Sequence, residues 1–131
     1  MFQLYKKGGN EMRKIFFTMM VVLLMLTGCN EESSYETISL ADTQEKIDSG
    51  YLVLDVREPN EFEEGHIPGA INKPLSELQA GDFSNIDKAE KYIVICRSGN
   101  RSKTASDLLL TEGFDIINTS EGMSSWQGDI Q

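Results

Sequence analysis

The chain has 131 residues, 40% of them hydrophobic and 25% charged, with a formal net charge of −9. That length fits one domain. The acidic balance disfavours nucleic acid as a partner, because a phosphate backbone requires a cationic face. It also repels small anions at long range, so any anion site must be built from local donors.

The chain opens with a targeting pattern. Lys6, Lys7, Arg13 and Lys14 precede an apolar run over residues 15–26, which is shorter than the roughly 20 residues that cross a bilayer as a helix. Met12 is an alternative start, since Met12-Arg13-Lys14 opens a compact basic segment. Basic residues, a short apolar run and small residues before a cleavage point read as a secretory signal over residues 1–28. Leu26-Thr27-Gly28-Cys29 resembles the lipobox of bacterial lipoproteins. That resemblance implies a lipidated Cys29 and a membrane-anchored, extracytoplasmic protein. Residues 29–36, polar and acidic after Cys29, read as a tether, with the folded domain expected over 37–131. Without residues 1–28 the net charge is −12, eight Lys/Arg against twenty Asp/Glu.

Ser39-Leu40-Ala41-Asp42 reads as a capping-box variant that opens a helix running to Ser49 and stopped by Gly50. Residues 51–56 form a buried-strand pattern. Residues 60–64 suit a short acidic helix closed by Gly65, and 70–72 a short strand between Pro68-Gly69 and Pro74. Residues 76–80 suit a helical turn, and 81–91 a polar connection. Residues 92–95 are the second strong strand. The segment 101–112 places Ala105, Leu108 and Leu109 on one helical face, with Gly113 as C-cap. A third strand is expected over 114–118 and a final turn over 122–126. Apolar strands without alternation imply burial on both faces. Strands alternating with helices imply an α/β fold, a mainly parallel central sheet with helices on both faces.

Functional sites in such sheets lie at the carboxyl ends of strands, and Cys96 sits at one. The sequence holds two cysteines, Cys29 and Cys96. With Cys29 lipidated, Cys96 has no partner within the chain, and an exported protein retains such a thiol for chemistry. The loop Cys96-Arg97-Ser98-Gly99-Asn100-Arg101-Ser102 supplies backbone N–H groups and the start of a helix. Arg97, Arg101 and Lys103 give it a local charge of +3. All of this favours a thiolate and an anion before it. Ser98 and Ser102 either donate to substrate oxygens or fasten the loop and helix-start amides. Asp55 and Arg57 read as an ion-pair network that locks the adjoining loops, with the acids of residues 58–64 as partners for Arg57. His66, the sole histidine, is expected to order the turn over 65–69 rather than to act as a base. Trp126 either lines the site mouth or anchors the core. There is no metal-ligand cluster, and no cofactor is expected.

Three segments now carry a family resemblance. Asp55-Val56-Arg57-Glu58-Pro59-Asn60-Glu61-Phe62 with Gly65-His66-Ile67-Pro68-Gly69-Ala70-Ile71-Asn72, the Cys96–Ser102 loop, and Gly122-Met123-Ser124-Ser125-Trp126 together resemble the rhodanese sulfurtransferases. The resemblance covers residues 37–131. It implies a rhodanese-like sandwich in which Cys96 accepts a sulfane sulfur as a persulfide cradled by the loop from Arg97 to Ser102. Thiosulfate is the expected donor and a thiol or cyanide the acceptor, with sulfite the first product. A monomer is expected. Four residues separate Cys96 from Arg101, where cysteine phosphatases place five, and the tighter loop favours a sulfur atom over a phosphate. A persulfide carrier and a non-catalytic binding domain are the competing readings.

Overall fold

The two apolar runs that dominate the sequence lie side by side at the middle of a five-stranded, all-parallel sheet. The strands are β1 (Glu36–Ile38), β2 (Leu52–Asp55), β3 (Ile71–Asn72), β4 (Lys91–Ile95) and β5 (Asp115–Thr119), in the order β1-β5-β4-β2-β3. Four helices connect them: α1 (Thr43–Asp48), α2 (Pro59–Glu64), α3 (Leu75–Gln79) and α4 (Asn100–Thr111). Short 3-10 turns stand at Leu40–Asp42 and Met123–Ser125.

This computed structural model describes residues 12–19 and 34–131. The chain divides into two compact units, Met1–Glu32 and Ser33–Gln131. In the first, residues 12–19 are helical and exposed. Among the described residues no helix is long and apolar enough to cross a membrane. The rest of the expected signal segment, Cys29 and residues 30–33 of the expected tether lie outside the described residues.

Neighbouring strand residues point to opposite faces of the sheet, so an unbroken apolar strand needs cover on both. On one face Leu54, Tyr92, Val94 and Ile116 pack with Leu75 and Leu78 of α3 and Ala105 and Leu109 of α4. On the other, Ile93 and Ile117 pack with Ile38 and Ile47, while Val53 and Ile95 pack with Ile67, Leu40 and Trp126. The fold is thus the helix-flanked parallel α/β sheet that the sequence pattern implies.

Three local differences from the sequence reading have physical causes. Glu36, polar enough to read as tether, opens β1, because an edge strand needs only one buried face and Ile38 supplies it. Tyr35 also docks, donating its phenol to Asp107 Oδ1 at 2.8 Å. The Ser39 hydroxyl donates to the Asp42 carboxylate at 2.8 Å instead of capping a backbone group, and a 3-10 turn precedes the α-helix. A true capping box forms at α2 instead. There the Glu58 side chain accepts the Glu61 amide, and the Glu61 carboxylate accepts the Glu58 amide at 3.1 Å. Pro59 sits at the first helical position, where its missing N–H costs nothing.

Candidate active site

From β2 the chain moves outward to β3, and from β4 it moves the other way to β5. The segments leaving these two adjacent parallel strands therefore diverge and open a crevice at their carboxyl ends. Asp55–Arg57 leaves β2 there and Cys96–Ser102 leaves β4, joined by the Val56 amide to the Ile95 carbonyl at 2.9 Å.

Cys96 is 0% exposed. Its Sγ accepts the Gly99 amide at 3.1 Å. The amides of Ser98 and Ser102 and the Ser102 hydroxyl also turn toward the sulfur, while that hydroxyl donates to the Gly99 carbonyl at 3.1 Å. Burial alone would raise the thiol pKa. The Ser102 hydroxyl and the three amides outweigh it and bring the thiol below its ordinary value.

Two glycines make this geometry accessible. Gly99 has φ +96°, and a Cβ there would meet the Ser120 carbonyl oxygen. A Cβ on Gly122 would meet the Cys96 and Arg97 carbonyls. Because Gly122 has none, the following turn closes in. The Met123 amide binds the Cys96 carbonyl at 2.8 Å, and the Ser124 amide and hydroxyl bind the Arg97 carbonyl at 3.0 and 2.8 Å. The Cys96 and Arg97 carbonyls are occupied by this turn, and the Gly99 amide serves the sulfur.

Asp55 and Arg57 form a buried pair. Arg57 Nε lies 3.0 Å from Asp55 Oδ1 and Nη2 2.7 Å from Oδ2. Arg57 also donates to the Gly65 carbonyl at 2.8 Å, and Asn72 Nδ2 donates to the Asp55 and Arg57 carbonyls at 3.0 and 2.9 Å. Arg57 thus draws its carboxylate from Asp55, not from the acids of residues 58–64, because desolvated charge requires a near and directional partner. His66 stacks on Phe62 with ring centroids 3.7 Å apart, and its Nδ1 lies 2.9 Å from the Phe62 carbonyl. Trp126 packs against the core cluster of Ile67 and donates Nε1 to the Asp129 carbonyl at 3.0 Å. It also lines a cleft of about 300 Å³ with Arg97, Glu61 and Met123. The core-anchor reading of Trp126 therefore describes it. Ser98 and Asn100 are exposed, the latter as the first residue of α4.

The loop is not the uncompensated cationic patch that its own sequence implies. Arg101 Nη1 and Nη2 grip the two Glu61 carboxylate oxygens at 2.7 and 2.8 Å, and exposed Arg97 lies 3.9 Å from the same group. Sequence reasoning passed over Glu61. Its signal was the Glu58-Pro59-Asn60-Glu61 capping pattern, which holds that side chain at the first turn of α2, while only the fold brings α2 to the loop.

A five-stranded parallel sheet with an amide-ringed cysteine at its crevice defines a rhodanese-type α/β domain. Residues 39–129 match the family of rhodanese-like domains, and the chain belongs to that family. It is 37% identical over 96 residues to YtwF of Bacillus subtilis (strain 168), a candidate sulfurtransferase, covering 72% of this chain and 92% of that one. It is 37% identical over 102 residues to YrkF of the same organism, a candidate sulfur carrier protein, covering 76% of this chain but 55% of YrkF. Among solved structures, a rhodanese-related protein from Thermoplasma volcanium has a TM-score of 0.67 at 39% identity, covering 74% of this chain and 98% of that one. A rhodanese-like domain protein from Staphylococcus aureus has a TM-score of 0.64 at 27% identity, covering 74% and 97%.

Replacing Ser102 by Ala removes the hydroxyl that helps lower the Cys96 pKa. The midpoint of Cys96 alkylation by iodoacetamide against pH should then move up; an unmoved midpoint would contradict this account. A second outcome concerns acid. The Arg101 guanidinium, against the opposing effect of burial, holds the Glu61 carboxyl down from 4.5 to about 2. A depressed native pKa stabilises fully above the unfolded value and is lost as pH falls through the native one. Glu61 should therefore contribute about 2 kcal/mol at neutral pH that vanishes between roughly pH 4.5 and 2. Urea unfolding across that range should show the slope, and Glu61→Gln should flatten it.

Proposed function

We propose that this rhodanese-like domain is a sulfurtransferase in which the Cys96 thiolate accepts a sulfane sulfur from thiosulfate or a similar donor. The persulfide then passes its outer sulfur to a thiol or to cyanide. The observation that carries this reading is a buried sulfur that accepts the Gly99 amide at 3.1 Å, with its pKa held below the ordinary thiol value by the surrounding loop. Attack by Cys96 on the outer sulfur of thiosulfate breaks the S–S bond, and sulfite leaves with the electron pair. In the second half an acceptor thiolate attacks the outer sulfur and Cys96 leaves as the thiolate. The same amides stabilise that leaving group, so no general base is needed at the nucleophile. The expected kinetics are ping-pong.

The loop residues divide the work. Gly99 donates to the sulfur, Ser98 and Ser102 help to lower its pKa, and Asn100 starts the helix behind it. Arg97 and Ser98 form the exposed rim that must yield for a donor to reach a covered atom. Asp55 and Arg57 brace the neighbouring segment. Arg101 is engaged by Glu61, which counts against a phosphatase, since a bound phosphate would have to displace that carboxylate. The similarity to the candidate sulfur carrier YrkF supports a second reading, a persulfide carrier loaded once and discharged to a protein partner.

Purified protein given a sulfane-sulfur donor, either thiosulfate or an organic hydropersulfide, should gain one sulfur atom by mass, and Cys96→Ser should gain none. Repeated thiocyanate formation with thiosulfate and cyanide marks the enzyme, while loading without turnover marks the carrier. Wild-type protein that loads from neither donor would end both readings.

The lipobox-like segment supports a further part of the same reading. We propose that residues 1–28 are a lipoprotein signal, that Cys29 carries the lipid, and that the domain works as a monomer outside the cytoplasm at a bacterial membrane. Cys29→Ala should shift the protein from the membrane fraction or block its processing; unchanged fractionation would sink the anchor.

A further inference from the structure

After the Gly122–Ser124 turn the chain folds back over Trp126. The indole Nε1 donates to the Asp129 carbonyl at 3.0 Å, and Gly128 lies so near the ring that a Cβ there would collide with it. Gln131 then pairs with His66 through both backbone groups. Its amide donates to the His66 carbonyl at 2.8 Å, and the His66 amide donates to the Gln131 carbonyl at 3.2 Å. Between these ties Ile130 lies against Gly65. Residues 127–131 are all exposed, so this strap buries little apolar surface of its own and its bonds serve position more than core stability.

Both ties lead to the Cys96 loop. At one end the Trp126 amide donates to the Met123 carbonyl at 3.2 Å, and the Met123 and Ser124 amides take the Cys96 and Arg97 carbonyls at 2.8 and 3.0 Å. At the other end the Gly65 carbonyl accepts Arg57 Nη2 at 2.8 Å, and Arg57 is locked to Asp55 beside the end of β4. A trans peptide is a rigid plane whose C=O and N–H point in opposite directions. Holding the Arg97 carbonyl on Ser124 therefore aims the amide of the same plane, that of Ser98, the other way, toward the sulfur.

We propose that residues 127–131, tied to Trp126 and His66, are a positioning strap for the Cys96 loop: through the Gly122–Ser124 turn they hold the Arg97–Ser98 peptide with its amide turned to the sulfur. Releasing the strap leaves the sheet intact and lowers the reactivity of Cys96. The proposal rests on Cys96 as the reacting group, but alkylation reads the strap whether or not sulfur is transferred. The charged groups nearest the loop, Arg97, Arg101 and Glu61, are unaltered in the variants that test it.

Gly128→Val sets a branched side chain against the indole and displaces the strap. Trp126→Phe keeps an aromatic ring in the core and removes the Nε1 donor. Phe83→Ala is the control for lost stability, since Phe83 packs on Phe114 where the chain enters β5, at the opposite end of the sheet from Cys96. The pH profile of Cys96 alkylation by iodoacetamide is measured for each. Both strap variants should move the midpoint to higher pH, and the control should leave it in place. An unmoved midpoint in Gly128→Val, or the same shift in Phe83→Ala, overturns the proposal. If neither strap variant folds, the wild-type protein decides. Coupling is reciprocal, so fluorescence of Trp126, the single tryptophan, should change across the alkylation midpoint and lose that step in Cys96→Ser. A wild-type signal without the step overturns the strap. A shifted midpoint in protein that loads no sulfur upholds the strap and fails the sulfur-acceptor reading alone.

Discussion

Hydrogen bonds from peptide N–H groups to one sulfur atom set the conditions for the rest of this molecule. Cys96 is fully covered, and burial by itself would keep it a neutral thiol. The amides of Ser98, Gly99 and Ser102, with the Ser102 hydroxyl, reverse that outcome. Such donors act only if the backbone turns its N–H groups inward and its carbonyls elsewhere. Much of the surrounding structure serves that single orientation.

The support comes from three directions. The crevice between the ends of β2 and β4 is a consequence of strand order, so the sheet itself places the loop. The Asp55–Arg57 pair and Asn72 hold the neighbouring segment by its carbonyls and charges. The turn at Gly122–Ser124 binds the Cys96 and Arg97 carbonyls, a contact that only glycine at 122 leaves room for. Each support is polar and buried or partly buried. Each therefore carries a penalty if one partner is removed, which gives the site rigidity more than it adds net stability.

Glu61 changes the electrostatic character of the site. Read along the chain, the loop carries only positive side chains. Folded, Arg101 grips a carboxylate 40 residues away along the chain, and exposed Arg97 lies 3.9 Å from it. The sulfur then has the Gly99 amide at hydrogen-bond distance, and the charge of Arg101 is met by Glu61 at the rim. Preorganised dipoles favour an ionised sulfur without having to rearrange around it.

The sequence by itself determined the fold class and the place of the Cys96 loop at the end of a central strand. Strand patterns at 51–56 and 92–95, too continuous in apolar residues to have a wet face, require a covered parallel sheet, and the Cys96 loop follows directly from the second. The family of rhodanese-like domains was legible in the same way, from residues close together in the chain. What only the tertiary structure decided were the pairings between distant segments: Arg57 with Asp55 rather than the acids that follow it, Arg101 with Glu61, and the Gly122 turn under the loop carbonyls. Local pattern specifies which groups a segment offers. Charged and hydrogen-bonding groups have many partners of suitable chemistry along a chain, and packing selects among them by bringing one within about 3 Å.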